Sequence, residues 1–153
     1  MLVLIYHLGK DRYALDASLV IEVLPLVELK RVPCSERGVA GVLNYRGAPV
    51  PVIDLGELAL GRPSDARLST RIILVNYSGA NGEKNTLGLM AEQATETARR
   101  PRSDFVESGV AGAPYLGPVA PDPRGLLQLI EVEKLLPEAL RDSLFREVAE
   151  VGA

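Results

Sequence analysis

Few residues in this 153-residue chain can carry chemistry. There is one histidine, His7, and one cysteine, Cys34, so the repeated His and Cys spacing of zinc sites does not occur. His7 sits in an apolar run that reads as a strand, where a satisfied or surface imidazole is expected rather than a general base. Cys34, within Val-Pro-Cys-Ser-Glu, carries no sequence sign of thiolate activation and reads as a buried or incidental thiol. Gly79-Ala-Asn-Gly-Glu-Lys84 lacks the spacing of a phosphate-binding loop and reads as a hairpin. Asp54 and Glu131 are better placed to start helices than to act as a carboxylate pair. No catalytic group, cofactor site or metal site follows, and the chain does not read as an enzyme.

Arg46 is the charge that stands out. It lies in Gly41-Val-Leu-Asn-Tyr-Arg-Gly-Ala-Pro-Val-Pro-Val-Ile-Asp-Leu55, otherwise a core-like stretch. Strand alternation puts Val42, Asn44 and Arg46 on one face and Leu43 and Tyr45 on the other, and Gly47 permits a reversal. Two readings stand: an exposed arginine at a hairpin end, or a guanidinium fixed by a carboxylate and presented at an interface. Pro49 and Pro51 remove donors from one edge only, which places that strand at a sheet edge or barrel corner.

The elements that must position these residues are mostly strands. Runs of Val, Ile and Leu bounded by Gly, Pro, Asp and Asn predict strands near 2–8, 12–16, 19–27, 39–46 and 48–53. A second set is expected near 70–77, 86–91, 93–99, 115–121 and 125–130. Gly9-Lys10-Asp11 and Gly79-Ala-Asn-Gly82 supply turn chemistry in the two sets. Asp54 can cap a helix, with Glu57 completing a capping box and Gly61 ending it. Leu136, Leu140, Leu144 and Val148 have helical spacing, predicting a C-terminal helix over roughly 137–149 with an apolar stripe. Residues 101–114 read as a loop.

The two strand sets resemble each other. Arg46-Gly47 leads to Ile53-Asp54-Leu55, and Arg124-Gly125 leads to Ile130-Glu131-Val132, with Ile53 and Ile130 lying 77 residues apart. Tyr13-Ala-Leu15 likewise matches Leu87-Gly-Leu89. Two β subdomains related by a pseudo-twofold are expected.

Composition sets the outer bounds. The chain is 47% hydrophobic and 24% charged, as in an ordinary globular domain. A net charge of -3 gives no electrostatic reason to expect nucleic acid or anionic lipid. Arg99, Arg100 and Arg102 read as a solvated loop rather than a binding patch. A single cysteine fits a reducing compartment, and the apolar run from Leu2 to Tyr6 is too short to insert in a membrane. A cytoplasmic protein is expected.

Gly-Val-Leu-Asn-Tyr-Arg-Gly followed by Val-Pro-Val-Ile-Asp-Leu resembles the signature of CheW-like coupling proteins of bacterial chemosensory systems. The likeness extends in order through Leu8–Asp16, Val20-Ile-Glu-Val23, Val32-Pro33, Arg71–Val75, Leu87–Glu92, Tyr115–Gly117 and Leu129–Leu136. It implies an all-β fold of two five-stranded SH3-like barrels with short helices, in a single domain spanning 1–153. Subdomain one is expected over roughly 12–65 and subdomain two over 66–130, with strand exchange at the N-terminus. It further implies a non-enzymatic adaptor joining a chemoreceptor cytoplasmic tip to the regulatory domain of a CheA-type histidine kinase, recruited to membrane-associated receptor arrays. Mapped by motif, Arg46 pairs with Glu22. The partner-facing set is then Val20, Glu22, Val23, Asn44, Arg46, Gly47 and Ala94. The chain departs from the family at Glu92-Gln-Ala-Thr-Glu-Thr97, more polar than the usual aspartate and valines, which points to a parallel, non-swimming chemosensory pathway. Two alternatives stay open: a small-ligand-binding β protein with a pocket between its barrels, and a detached kinase regulatory domain. A chain that starts at a methionine before its first strand, without dimerisation or ATP-binding segments, favours the free-standing adaptor.

Overall fold

The computed structural model describes residues 1–32, 36–78 and 82–152. Cys34 and most of the turn expected at Gly79–Gly82 lie outside the described residues. Described in chain order are β1 (Leu2–Leu8), β2 (Asp11–Asp16), β3 (Val20–Pro25), β4 (Val39–Tyr45) and β5 (Ala48–Asp54). Helix α1 (Leu55–Leu60) follows, then β6 (Arg71–Ser78), β7 (Lys84–Arg99), β8 (Leu116–Asp122), β9 (Gly125–Ile130) and helix α2 (Glu138–Gly152). The strands expected at 86–91 and 93–99 are one strand, β7. It bends without breaking at Gln93, whose φ of 50° is left-handed, and the register against β1 shifts there.

That bend lets one strand serve two barrels. Up to Ala91, β7 pairs with β6 antiparallel and with β5 parallel; from Glu92 onward it pairs with β1. The first barrel is therefore β4-β5-β7-β6-β3, and the second is β7-β1-β2-β9-β8. Strand pairing thus divides the chain within β7 and not near residue 65. β6 and the front of β7 go with β3, β4 and β5, whereas β1 and β2 go with β8 and β9.

The internal repeat is visible in the pairing. β5 runs parallel beside β7 with Ile53 opposite Leu89, and β9 runs parallel beside β2 with Leu129 opposite Ala14. The isolated bridges Lys30–Val42 and Val106–Val119 occupy equivalent places in the two barrels. The turns differ by one residue from the sequence match. Arg46-Gly47 forms the β4–β5 turn, but Pro123-Arg124 forms the β8–β9 turn, because Gly125 is already paired with Asp122.

Burial explains the composition of the strands. In β6, Ile72 and Leu74 fill the first barrel, while Ile73, Val75 and Tyr77 point into a larger core between the barrels. A strand buried on both faces reads as the continuous run Ile-Ile-Leu-Val. Val3, Ile5, Ala14 and Leu127 fill the second barrel. Leu144 and Val148 of α2 join the shared core, and Phe145 stacks on Tyr77 at 5.7 Å. β5 is an edge strand only over its first half. Beyond Pro51, β7 takes its free side at Val52–Asp54, so the prolines stop where donors are needed.

Asp54 caps α1, accepting from the N–H groups of Gly56 (2.9 Å) and Glu57 (3.2 Å) and from both Ser64 N–H (2.8 Å) and Ser64 Oγ (2.5 Å). The reciprocal bond of a capping box is not made. The Asp54 N–H donates instead to the Gly38 carbonyl at 2.7 Å, tying the helix start to the segment before β4. Gly61 ends the helix at φ 77°, as its position predicts.

Candidate functional site

The β4–β5 hairpin turns on two residues, Arg46 (φ 52°) and Gly47 (φ 86°), between the paired Tyr45 and Ala48. Two successive left-handed residues are the type I′ arrangement that suits strand twist, and the first of them is usually Asn, Asp or Gly. An arginine there costs about 1 kcal/mol of backbone strain relative to those residues. The Asn44 carboxamide oxygen accepts the Gly47 N–H at 3.0 Å and holds the turn. Strand alternation thus ends at Tyr45, and Arg46 leaves the face it was expected to share with Val42 and Asn44.

Its guanidinium is nevertheless oriented. It lies over the Tyr45 ring, 5.1 Å from the centroid, with Nη2 3.4 Å from Glu22 Oε1. The Tyr45 hydroxyl donates to the same carboxylate oxygen at 2.9 Å, and that hydrogen bond holds its pKa above the ordinary phenol value. Arg46 is therefore both things the sequence allowed: its side chain is 77% exposed, and it is paired. So exposed a pair contributes about 0–1 kcal/mol to folding, and its effect is to aim the fork outward.

Glu22 reaches this position through a bulge in β3. Val20 is opposite Val75 and Glu22 opposite Leu74, so one extra residue lies between them. Ile21, Val23 and Val27 are about two-fifths exposed at 42%, 39% and 41%. Val20, by contrast, is partly buried against the central core. Ala94 does not belong to the partner-facing set. It is 2% exposed inside the shared core, because the bulge after Gln93 turns its side chain inward. Motif matching did not name Ile21 and Val27, whose sequence signal was their apolar character near Glu22. The rest of the polar stretch does face out, with Gln93, Thr95, Glu96 and Thr97 exposed.

The second barrel carries a charged cluster that sequence reasoning did not find. Arg12 donates through Nη1 to Asp122 Oδ2 and through Nη2 to Glu96 Oε1 at 2.5 Å. Arg100 donates to Asp122 Oδ1 at 3.0 Å, and Arg102 to Asp16 at 3.1 Å. By strand pairing, Glu96, opposite Ile5, corresponds to Glu22, opposite Leu74. The Asp122 side chain is 1% exposed. Burial pushes its pKa up, but hydrogen bonds from Arg100, the Arg124 N–H and Arg12 outweigh burial and leave it below the usual carboxylate range. Burial and the Arg12 charge lower the pKa of His7, opposite Arg12 on β1.

A carboxylate with a depressed pKa stabilises the fold above its unfolded-state value near 4 and loses that contribution as pH falls through the folded value. Asp122→Asn is expected to cost about 1–3 kcal/mol at neutral pH. The difference from wild type should shrink as pH falls below about 4, where Asp122 of the unfolded chain takes up a proton first and the folded carboxylate follows at lower pH. Urea unfolding from pH 3 to pH 7 reads this directly; a pH-independent difference would count against it.

Among the described residues no three His, Cys, Asp or Glu side chains converge to hold a metal ion, and no helix is long and apolar enough to cross a membrane. The family described as "CheW-like domain" matches residues 2–140. The chain is 28% identical over 139 residues to a chemotaxis protein CheW of Klebsiella aerogenes, covering 87% of this chain and 80% of that one. It is 24% identical over 140 residues to a chemotaxis protein CheW of Treponema pallidum, covering 85% and 78%. The crystal structure of the scaffolding protein TtCheW from Thermoanaerobacter tengcongensis superposes with a TM-score of 0.79, at 21% identity and over 89% of this chain and 87% of that one.

Proposed function

The chain belongs to the CheW-like domain family, and from that premise we propose that it couples chemoreceptors to a CheA-type histidine kinase through the first-barrel surface around Arg46. The family is one of non-enzymatic scaffolds in chemosensory signalling, and its members join receptor to kinase by binding both. The receptor's cytoplasmic tip and the kinase's regulatory domain are the two contacts in this reading. It follows that the protein works at membrane-associated receptor arrays without entering the lipid.

One observation supports the Arg46 surface above others. The turn would fold more easily with asparagine at position 46, yet it carries an arginine that Tyr45 and Glu22 orient toward solvent. Exposed Ile21, Val23 and Val27 supply apolar area on and just beyond the strand that carries Glu22. An oriented, exposed arginine with exposed apolar residues on the strand beside it is a composition found at protein interfaces. Asn44 and Gly47 act by holding the turn, so their contribution to docking is indirect. Gln93, Thr95 and Thr97 leave the exposed side of the second half of β7 polar, which supports a partner from a parallel, non-swimming pathway.

The test titrates the wild-type chain separately into a soluble receptor-tip fragment and into the kinase regulatory domain, both from the same genome, by calorimetry. Saturable binding to each, with neither competing against the other, is expected. A folded protein that binds neither would sink the coupling reading.

A further inference from the structure

Glu22 holds two donors on a single oxygen, and it holds them unequally. The Tyr45 hydroxyl donates to Oε1 at 2.9 Å, well within hydrogen-bond range. Arg46 Nη2 lies 3.4 Å from the same atom, beyond the span of about 2.7–3.2 Å usual for such a bond. The Arg46 side chain is 77% exposed and that of Glu22 38%, so water competes for the pair and parting it costs little. Apart from Glu22 Oε1 and the Tyr45 ring, the guanidinium has no hydrogen-bond, ion-pair or ring partner among the described residues. Most of its N–H donors are open to another molecule.

A carboxylate left behind in a closing interface is costly, because it loses water and gains no donor. Glu22 escapes that cost if Tyr45 goes on donating after the guanidinium has turned away. Tyr45 is placed to do so: its hydroxyl bonds Glu22 rather than Arg46, and its backbone is still paired in the β4–β5 ladder, opposite Ala48. We propose that docking hands Arg46 from Glu22 to an acidic side chain of the partner, and that Tyr45 is the positioning residue that retains Glu22 through the exchange. The proposal rests on the reading that partners dock on the Arg46 surface. A guanidinium taken out of water needs an anion, and its planar fork meets a carboxylate through two parallel N–H···O bonds. The Tyr45 ring stays beside the cation and limits the directions it can take.

Calorimetric titration of the full chain into the receptor-tip fragment and into the kinase regulatory domain carries the test, with Tyr45→Phe, Glu22→Gln and the double variant beside wild type. Tyr45→Phe keeps the ring beside Arg46 and removes only the donor, and it should weaken binding about fivefold. In the Glu22→Gln background the same change should weaken binding less than about twofold, because no carboxylate is left to satisfy. Equal losses in the two backgrounds, or no loss in either, would overturn the hand-over while leaving the Arg46 surface in place. Wild-type binding should also fall more steeply than that of Arg46→Met as salt rises from about 0.05 M to about 0.5 M. An equal salt response would exclude the acidic contact and overturn the hand-over too. Wild type that binds neither protein would remove the docking surface itself, and the hand-over with it.

Discussion

Replacing Gly41 with alanine is expected to cost about 3 kcal/mol of folding stability, from backbone strain and overpacking together. Gly41 has φ 151°, and a Cβ there would lie 2.5 Å from the Lys30 carbonyl oxygen and 3.0 Å from Leu29 Cβ. That carbonyl cannot simply move aside. It accepts the Val42 N–H at 2.7 Å while the Lys30 N–H donates to Val42 at 3.0 Å, and this bridge closes the first barrel. Gly125→Ala is the natural control: its φ of 121° is also left-handed, but a Cβ there would meet nothing within 4 Å. Urea unfolding of the two variants separates strain from clash. If Gly41→Ala proves no less stable than Gly125→Ala, the close approach to Lys30 is not what holds the barrel shut.

The second large effect is on binding. Arg46→Glu should weaken assembly with receptor and kinase about a hundredfold, which is ~2.8 kcal/mol at 1.4 kcal/mol per tenfold. Truncating a central interface arginine commonly costs 2 kcal/mol or more, and reversal places a negative charge where the partner meets a positive one. Folding should change by about 0–1 kcal/mol, since the pair is solvent-exposed. Arg46→Asn makes the distinction sharper. Asparagine suits the left-handed turn position better than arginine, so this variant should be slightly more stable while binding less well. A more stable protein with weaker assembly cannot be explained by damage to the fold. Unchanged assembly in Arg46→Asn would instead make Arg46 a bystander.

Much of the fold was legible because its signals are local. Runs of Val, Ile and Leu bounded by turn residues located the strands within a residue or two, Gly9 and Gly47 marked two-residue turns, and Asp54 with Gly61 bracketed α1. The Glu22–Arg46 pairing came from family resemblance, and their side chains do meet. What failed depended on chain breaks in periodicity or on distant partners. The bulge after Gln93 turns Ala94 into the core, although the family resemblance had placed it on the partner-facing surface, and the bulge at Ile21 exposes a residue that motif matching did not name. The division of the barrels inside β7 rests on a single left-handed residue, Gln93, which no propensity argument would single out. The Arg12 cluster joins side chains 110 and 84 residues apart: the parallel pairing of β2 with β9 brings in Asp122 of the neighbouring β8, and β1, lying between β2 and β7, brings in Glu96.

The most direct test of the coupling account is co-sedimentation of the ternary complex. Receptor-tip fragment and kinase regulatory domain would be mixed with wild type or Arg46→Glu at equal concentration, after unfolding curves have established that both are folded. The account predicts that wild type brings receptor and kinase down together and that Arg46→Glu leaves the kinase in the supernatant. Equal recovery of the kinase with both proteins would contradict it, and the docking surface would then lie elsewhere on the two barrels.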